Sequence, residues 1–130
     1  MKINGWAICL AILFAAVDAQ SSAFTWDGGG DGSSFGDADN WDPDGTTFTT
    51  SDNYTIDDTV GVGSSFDIGA LTLANGGNLT IGSGSTLSLN VNSSMARTST
   101  LTINGTLDAG IRRFDFLGNG GSVNVDINGS

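Results

Sequence analysis

Short alternations of apolar and polar residues dominate the chain from about residue 59 onward. Each alternation places an apolar residue on both sides of a Thr, Ser or Asn, and Gly or Asn residues bound it. A period of two residues with turn formers at both ends is typical of strands that bury one face. The pattern therefore predicts an all-β fold that is rich in turns. The alternations are Leu71-Thr72-Leu73, Leu79-Thr80-Ile81, Leu87-Ser88-Leu89, Leu101-Thr102-Ile103 and Val123-Asn124-Val125.

The spacing of these strands predicts how they assemble. Leu79, Leu101 and Val123 follow one another at intervals of 22 residues. A fixed interval with turn formers between the strands indicates stacked coils, because a single coil cannot bury its own apolar edge. We predict a right-handed parallel β-helix, or β-solenoid, of about three coils, with a β-sandwich or barrel as the alternative. The residues predicted to point inward and stack in register are Leu79, Ile81, Leu101, Ile103, Val123 and Val125.

The first nineteen residues differ from the rest of the chain. Lys2 precedes an apolar stretch that runs from Trp6 to Val17, and small residues lead to Ala19. This order is typical of a secretory signal peptide, here cleaved after Ala19. The apolar stretch is too short to span a bilayer, so we expect no membrane insertion of the mature chain. The only cysteine, Cys9, lies in this segment. The predicted organisation is a signal peptide (1–19), a Trp/Gly/Asp-rich cap (20–58) and β-solenoid repeats (59–130).

The composition after Ala19 narrows the possible chemistry. Residues 20–130 contain thirteen Asp and three Arg but no Glu, Lys, His or Cys. Such an acidic surface repels nucleic-acid phosphates, so we expect no nucleic-acid partner. The missing side chains exclude a Ser-His-Asp triad, a thiolate nucleophile, a Schiff base and an ordinary zinc site.

Pairs of Asp remain as candidate catalytic groups, because two carboxylates suffice to hydrolyse a glycosidic bond. Asp57 and Asp58 are adjacent, so they would point to opposite faces of a strand. Asp108, Asp115 and Asp126 are single residues on different predicted coils. We expect no enzyme, and a polysaccharide-cleaving β-helix is the alternative.

The cap region carries a distinctive motif. Trp26-Asp27-Gly28-Gly29-Gly30-Asp31-Gly32 is followed by Phe35 and by Asp37-Ala38-Asp39-Asn40-Trp41. This motif and the repeats after it resemble the N-terminal region of secreted bacterial proteins with autotransporter-associated β-strand repeats, many of which carry an autotransporter barrel or a PEP-CTERM segment. Phe35 stands where those proteins usually have Trp. No barrel or sorting segment follows Ser130, so we expect a truncated chain.

The resemblance implies a structural or adhesive passenger on a parallel β-helix, without catalytic residues. It also implies that Trp26 and Trp41 close the N-terminal end of the coil stack. Aromatic side chains cover much area per residue, which suits them to the open end of an apolar column. The alternative is that the two indoles form an exposed platform on which sugars stack.

Calcium is the one metal that the Asp content suggests. Asn40, Asp42 and Asp44 place oxygen ligands at alternate positions, and Gly45 follows at the sixth, as in the opening of a calcium loop. Ser51 stands where the bidentate Glu belongs, and Asp and Gly are also ordinary turn formers. We therefore expect no cofactor, with calcium at these three residues as the alternative.

The outward positions of the strands suggest a binding face. Thr80, Thr102 and Asn124 occupy the middle of successive alternations, so stacked coils would place them about 4.8 Å apart. A flat polar array of this kind matches ice or a regular polysaccharide, although Thr also favours solvated strands for its own propensity. We expect a secreted or cell-surface, structural or adhesin-like protein. Its expected partners are extracellular polysaccharide, a host or cell surface, and further copies of itself associated end to end.

Overall fold

The computed structural model describes residues 20–117 and 124–127. These residues form thirteen strands and one short 3₁₀ helix, Ala38–Asn40. In this part of the chain no helix has the length and apolar character needed to cross a membrane. The strands are β1 (Ala23–Trp26), β2 (Trp41–Asp42), β3 (Asn53–Ile56), β4 (Thr59–Val62), β5 (Phe66–Ile68), β6 (Ala70–Leu73), β7 (Asn78–Ile81), β8 (Thr86–Leu89), β9 (Ser93–Ala96), β10 (Thr100–Ile103), β11 (Thr106–Asp108), β12 (Phe114–Leu117) and β13 (Asn124–Ile127).

The strands form three sheets that run along one stack of coils. Sheet A has the order β12-β9-β6-β3-β1-β2, sheet B the order β13-β10-β7-β4, and sheet C the order β11-β8-β5. Each complete coil contributes one strand to each sheet, so β3–β5, β6–β8 and β9–β11 are three successive coils. Every pairing is parallel except that of β1 with β2. The prediction of an all-β parallel solenoid of about three coils is confirmed.

The coil stack begins earlier in the sequence than the predicted boundary at residue 59. Strand β3 already pairs in parallel with β6, and β1 pairs in parallel with β3 through Phe24 and Tyr54. Thirty residues separate Phe24 from Tyr54, because the cap loop and β2 lie between them. An interval this long hides β1 from a search for a constant repeat.

The predicted register is right for β7 and β10 and differs for β13. Leu79 lies opposite Leu101 and Ile81 opposite Ile103, both at the predicted interval of 22 residues. Strand β13 instead places Val125 opposite Leu101, an interval of 24 residues. Six residues separate β12 from β13, whereas three separate β9 from β10, so the coil lengths are unequal. Val123 lies outside the described residues.

The core is a column of inward side chains that continues from coil to coil. Leu79, Ile81, Leu101 and Ile103 are at most 9% exposed, which confirms their predicted inward orientation. Each fully buried aliphatic side chain stabilises the fold by about 1.5–3 kcal/mol relative to exposure. The stacked sets include Val60 with Leu79 and Leu101, Val62 with Ile81 and Ile103, Phe66 with Leu87 and Leu107, and Tyr54 with Leu71.

The corners between sheets also pack from coil to coil. A Cβ added at Gly105 would overlap the carbonyl oxygens of Gly82 and Ser85 in the coil beneath. The buried hydroxyl of Ser99 donates to the carbonyl oxygen of Ala74 at 2.6 Å, which satisfies a corner of the preceding coil. Small residues at these corners therefore allow the backbones of adjacent coils to approach closely.

Candidate functional site

An aromatic cluster fills the end of the coil stack where β1 and β2 lie. Trp26 is 4% exposed, and Trp41 is fully buried. Their rings meet edge to face, with centroids 5.1 Å apart and planes at 89°. The predicted aromatic cap at the N-terminal end is confirmed, with both indoles in the core rather than on an open platform. The cluster comprises Phe24, Trp26, Phe35, Trp41, Phe48, Tyr54 and Phe66.

Asn40 organises the loop that precedes the cap strand. Its Oδ1 accepts hydrogen bonds from the backbone N–H groups of Gly30 (2.9 Å) and Gly32 (2.8 Å). Its Nδ2 donates to a carboxylate oxygen of Asp31 (2.9 Å) and to the carbonyl oxygen of Ser34 (3.0 Å). Asn40 is fully buried, and these four bonds use the whole donor and acceptor capacity of its amide. It ties the two sides of the loop together.

Carboxylates of the cap loop bind backbone N–H groups of the same loop. Oδ1 of Asp31 accepts from the N–H groups of Ser34 (2.7 Å) and Ser33 (2.8 Å), and Oδ2 of Asp37 accepts from the N–H of Asp31 (2.9 Å). The Ser34 N–H, then the Asn40 amide and the Ser33 N–H, lower the pKa of Asp31 below its ordinary value of 3.8. These hydrogen bonds favour the charged form of the carboxyl group. The Asp content of the loop thus has a structural use.

The three calcium candidates do not share a free set of ligand atoms. The amide of Asn40 is occupied by the four hydrogen bonds described above. Asp42 lies at the end of β2 and Asp44 in the loop after it, and both are exposed. Across residues 20–117 and 124–127, no three His, Cys, Asp or Glu side chains group closely enough to hold a metal ion.

The outer edge of the cap is formed by the short strand β2. It pairs with β1 in antiparallel fashion, with Trp41 opposite Trp26 and Asp42 opposite Thr25. Strand β2 has only two residues, and Pro43, which has no N–H, follows it directly. Short edge strands, charged side chains and Pro are features that oppose the addition of another strand. End-to-end association through this edge therefore meets a poor template.

Sheet B presents polar residues outward, as predicted, but in a different register at β13. Thr80 lies opposite Thr102, so these two candidate ligand residues are neighbours on adjacent coils. Asn124, the third candidate, lies opposite Thr100, and Asp126 takes the place opposite Thr102. The reason is the longer connection before β13, which moves the strand by two residues. A second outward line on this sheet joins Thr59, Asn78 and Thr100.

Sheet A carries a longer column of hydroxyl side chains that the sequence analysis missed. Thr25 lies opposite Thr55, Thr55 opposite Thr72, and Thr72 opposite Ser94. All four are exposed or half-buried, whereas their neighbours along the strands point into the core. Intervals of 30, 17 and 22 residues between successive members hide the column from a periodicity search. The available signal was local, because Thr25, Thr55 and Thr72 each stand between two apolar residues.

The Asp candidates for hydrolysis lie on different parts of the stack. Asp57 and Asp58 occupy the corner between β3 and β4. Asp108 ends β11 in sheet C, whereas Asp115 lies on β12 in sheet A, where it pairs with Arg113 at 2.6 Å. Asp126 lies on β13 in sheet B. The last three are thus distributed over three different sheets.

Comparison with known proteins gives no family model, no curated protein and no solved structure that matches the chain.

Proposed function

We propose that the chain is the capped beginning of a secreted or cell-surface β-solenoid with a structural, adhesin-like role and no catalytic activity. The carrying observation is the vertical alignment of outward hydroxyl groups over successive coils, best developed in the sheet A column Thr25, Thr55, Thr72 and Ser94. The likeness of the cap motif to autotransporter-associated repeat proteins supports the same role.

Regular columns suit contact with a regular partner. Adjacent strands of a sheet are about 4.8 Å apart, so each column offers hydroxyl groups at a constant spacing along the stack. Thr and Ser hydroxyls both donate and accept hydrogen bonds, as do the hydroxyl groups of sugars. Each such bond contributes little against water, but several in one rigid array act together. The proposed partner is therefore an extended extracellular polysaccharide.

The absence of strong catalytic groups supports a non-catalytic role. Residues 20–130 have no His, Glu, Lys or Cys. The carboxylate of Asp31 serves the cap loop, and that of Asp52 accepts hydrogen bonds from the Ser22 N–H and the Thr49 hydroxyl. Such engagement fixes turns and loop crossings rather than presenting a pair of carboxylates to a substrate.

The experiment measures retention of the chain from Gln20 on insoluble polysaccharides, comparing wild type with one variant per sheet. Thr72→Asp changes the sheet A column and Thr80→Asp the sheet B column. Ser88→Asp is the matched control, because the outward line of sheet C already contains Asp67 and Asp108. We expect retention to fall with Thr72→Asp or Thr80→Asp and to stay unchanged with Ser88→Asp.

Equal retention of all three variants, or no retention of the wild type, contradicts the polysaccharide proposal. A reducing-sugar assay on the same samples tests the enzyme alternative. Turnover that disappears on Asp115→Asn or Asp108→Asn would contradict the non-catalytic role. Inhibition of ice recrystallisation that Thr80→Asp abolishes would instead identify ice as the ligand of the sheet B face.

A further inference from the structure

A hydroxyl group bridges the two reacting groups of an Asn-Gly dipeptide at one corner of the stack. Asn75 and Gly76 lie in the turn between β6 and β7, and Thr98 lies in the turn between β9 and β10 on the next coil. The backbone N–H of Gly76 donates to Oγ1 of Thr98 at 3.0 Å. The Thr98 hydroxyl in turn donates to Oδ1 of Asn75, with 3.4 Å between the oxygens. All three residues are exposed to water.

We propose that this corner is a site of self-modification, at which Asn75 deamidates with Thr98 as a proton relay. In the reaction the backbone nitrogen of Gly76 attacks Cγ of Asn75. Glycine permits the attack because it has no Cβ to obstruct the approach. The nitrogen must lose its proton and the amide oxygen must gain one, and Thr98 contacts both atoms. Its Oγ1 accepts the proton of Gly76 while its own proton passes to Oδ1 of Asn75.

The atoms balance without any reagent except water. The N–Cγ bond forms, the Cγ–Nδ2 bond breaks, and ammonia leaves, so a cyclic imide joins Asn75 to Gly76. Water then opens the imide at one of its two carbonyl carbons. One opening gives aspartate, and the other gives isoaspartate, which adds a methylene group to the backbone. Both products place a new negative charge at the corner between the second and third coils.

The position of Thr98 on another coil makes the relay a property of the folded stack. Twenty-two residues separate Gly76 from Thr98 in sequence, and the coil register brings them together. Gly76 has a φ of 89°, a left-handed conformation that its neighbours hold in place. Unfolding removes Thr98 from both atoms, so the relay predicts a different dependence on Thr98 in the folded and unfolded chains.

The experiment ages the folded chain at mildly alkaline pH and follows each Asn-Gly site by peptide mapping with mass spectrometry. The variants are Thr98→Val, which removes the hydroxyl at nearly constant shape, and Thr98→Ser, which retains it. We expect Thr98→Val to slow conversion of Asn75 about tenfold, below the range of positioned acid–base groups in enzymes because the contact to Oδ1 is long. Thr98→Ser should stay within about twofold of wild type. Conversion of Asn104 in the same sample should not change.

The opposite outcome has an equally clear meaning. If Thr98→Val converts Asn75 as fast as wild type or faster, Thr98 clamps the turn and protects it, and the proposal is wrong. It is also wrong if the folded wild type fails to convert Asn75 while a urea-unfolded sample does. Circular dichroism establishes that each variant is folded, and in urea all three chains should convert Asn75 at the same rate.

Discussion

Trp41 is joined to Phe35 by two contacts at once. The indole N–H of Trp41 donates to the carbonyl oxygen of Phe35 at 3.0 Å, and the two rings pack edge to face with centroids 5.1 Å apart. Both side chains are fully buried. A buried indole needs a partner for its N–H as well as apolar neighbours, and Phe35 supplies both. The cap is thus a polar-satisfied extension of the core.

The first prediction concerns tryptophan emission. In the chain from Gln20, Trp26 and Trp41 are the only tryptophans. We expect blue-shifted emission that acrylamide quenches poorly, because both indoles are at most 4% exposed. Addition of oligosaccharides should leave the spectrum unchanged. Solvent-exposed emission that shifts only when sugar is added would indicate a stacking platform instead.

The second prediction compares two neighbours on β10. Leu101 is 1% exposed and faces the core, whereas Thr102 is half-buried on the outer face. Leu101→Asp should unfold the chain, because an unpaired buried charge costs several kcal/mol. Thr102→Asp should change the free energy of unfolding by about 0.5 kcal/mol or less. Urea titration followed by circular dichroism measures both, and similar effects of the two changes would refute the assigned faces.

The apolar alternation predicts the solenoid because the inward positions obey a strict physical rule. A strand that slips by one residue exposes its whole apolar face, so Leu79 and Leu101 reveal their register in the sequence. A slip of two residues preserves the face, and the strand pairing Val125 with Leu101 differs from the predicted register by that amount. Alternation therefore determines which face is buried but leaves the register of an irregular coil open.

The cap loop could not be predicted in detail from its composition. Asn40 was interpreted as a calcium ligand because oxygen ligands alternate around it, and its burial depends on contacts that the spacing does not show. Its partners Gly30, Gly32 and Asp31 lie eight to ten residues away within an irregular loop. Amide side chains that bind backbone groups at such separations leave no periodic signal.

The third prediction tests the central role of Asn40. Asn40→Asp keeps the shape but replaces the donor Nδ2 with an oxygen that faces the carboxylate of Asp31. We expect a loss of about 1–3 kcal/mol in the free energy of unfolding at neutral pH. Part of this loss should be recovered in acid, where one of the two carboxyl groups gains a proton. Asp39→Asn, at the exposed neighbouring position, is the control and should have little effect.

The fourth prediction concerns acid. The folded protein holds the pKa of Asp31 below its ordinary 3.8, mainly through the Ser34 N–H, so the carboxylate stabilises the fold above that pH. The contribution is lost as the pH falls through the lowered folded value. We expect the urea midpoint to decrease from pH about 4 downward, and Asp31→Asn to make that decrease shallower. Asp44→Asn, at an exposed loop position, should leave the slope unchanged; an equal change of slope would contradict the assignment.

The last prediction concerns the close approach of adjacent coils. A Cβ at Gly105 would overlap the carbonyl oxygens of Gly82 and Ser85, whereas a Cβ at Gly63 would meet open space. Both oxygens belong to the backbone, so relief requires the coils to separate. Gly105→Ala should therefore cost about 1–3 kcal/mol, the usual range for overpacking. Gly63→Ala should be neutral or stabilise the chain by up to about 1 kcal/mol, because it restricts the unfolded chain without a clash. Thermal unfolding of the two variants measures the difference, and a Gly105→Ala chain as stable as wild type would show that the stacked corners can separate at no cost.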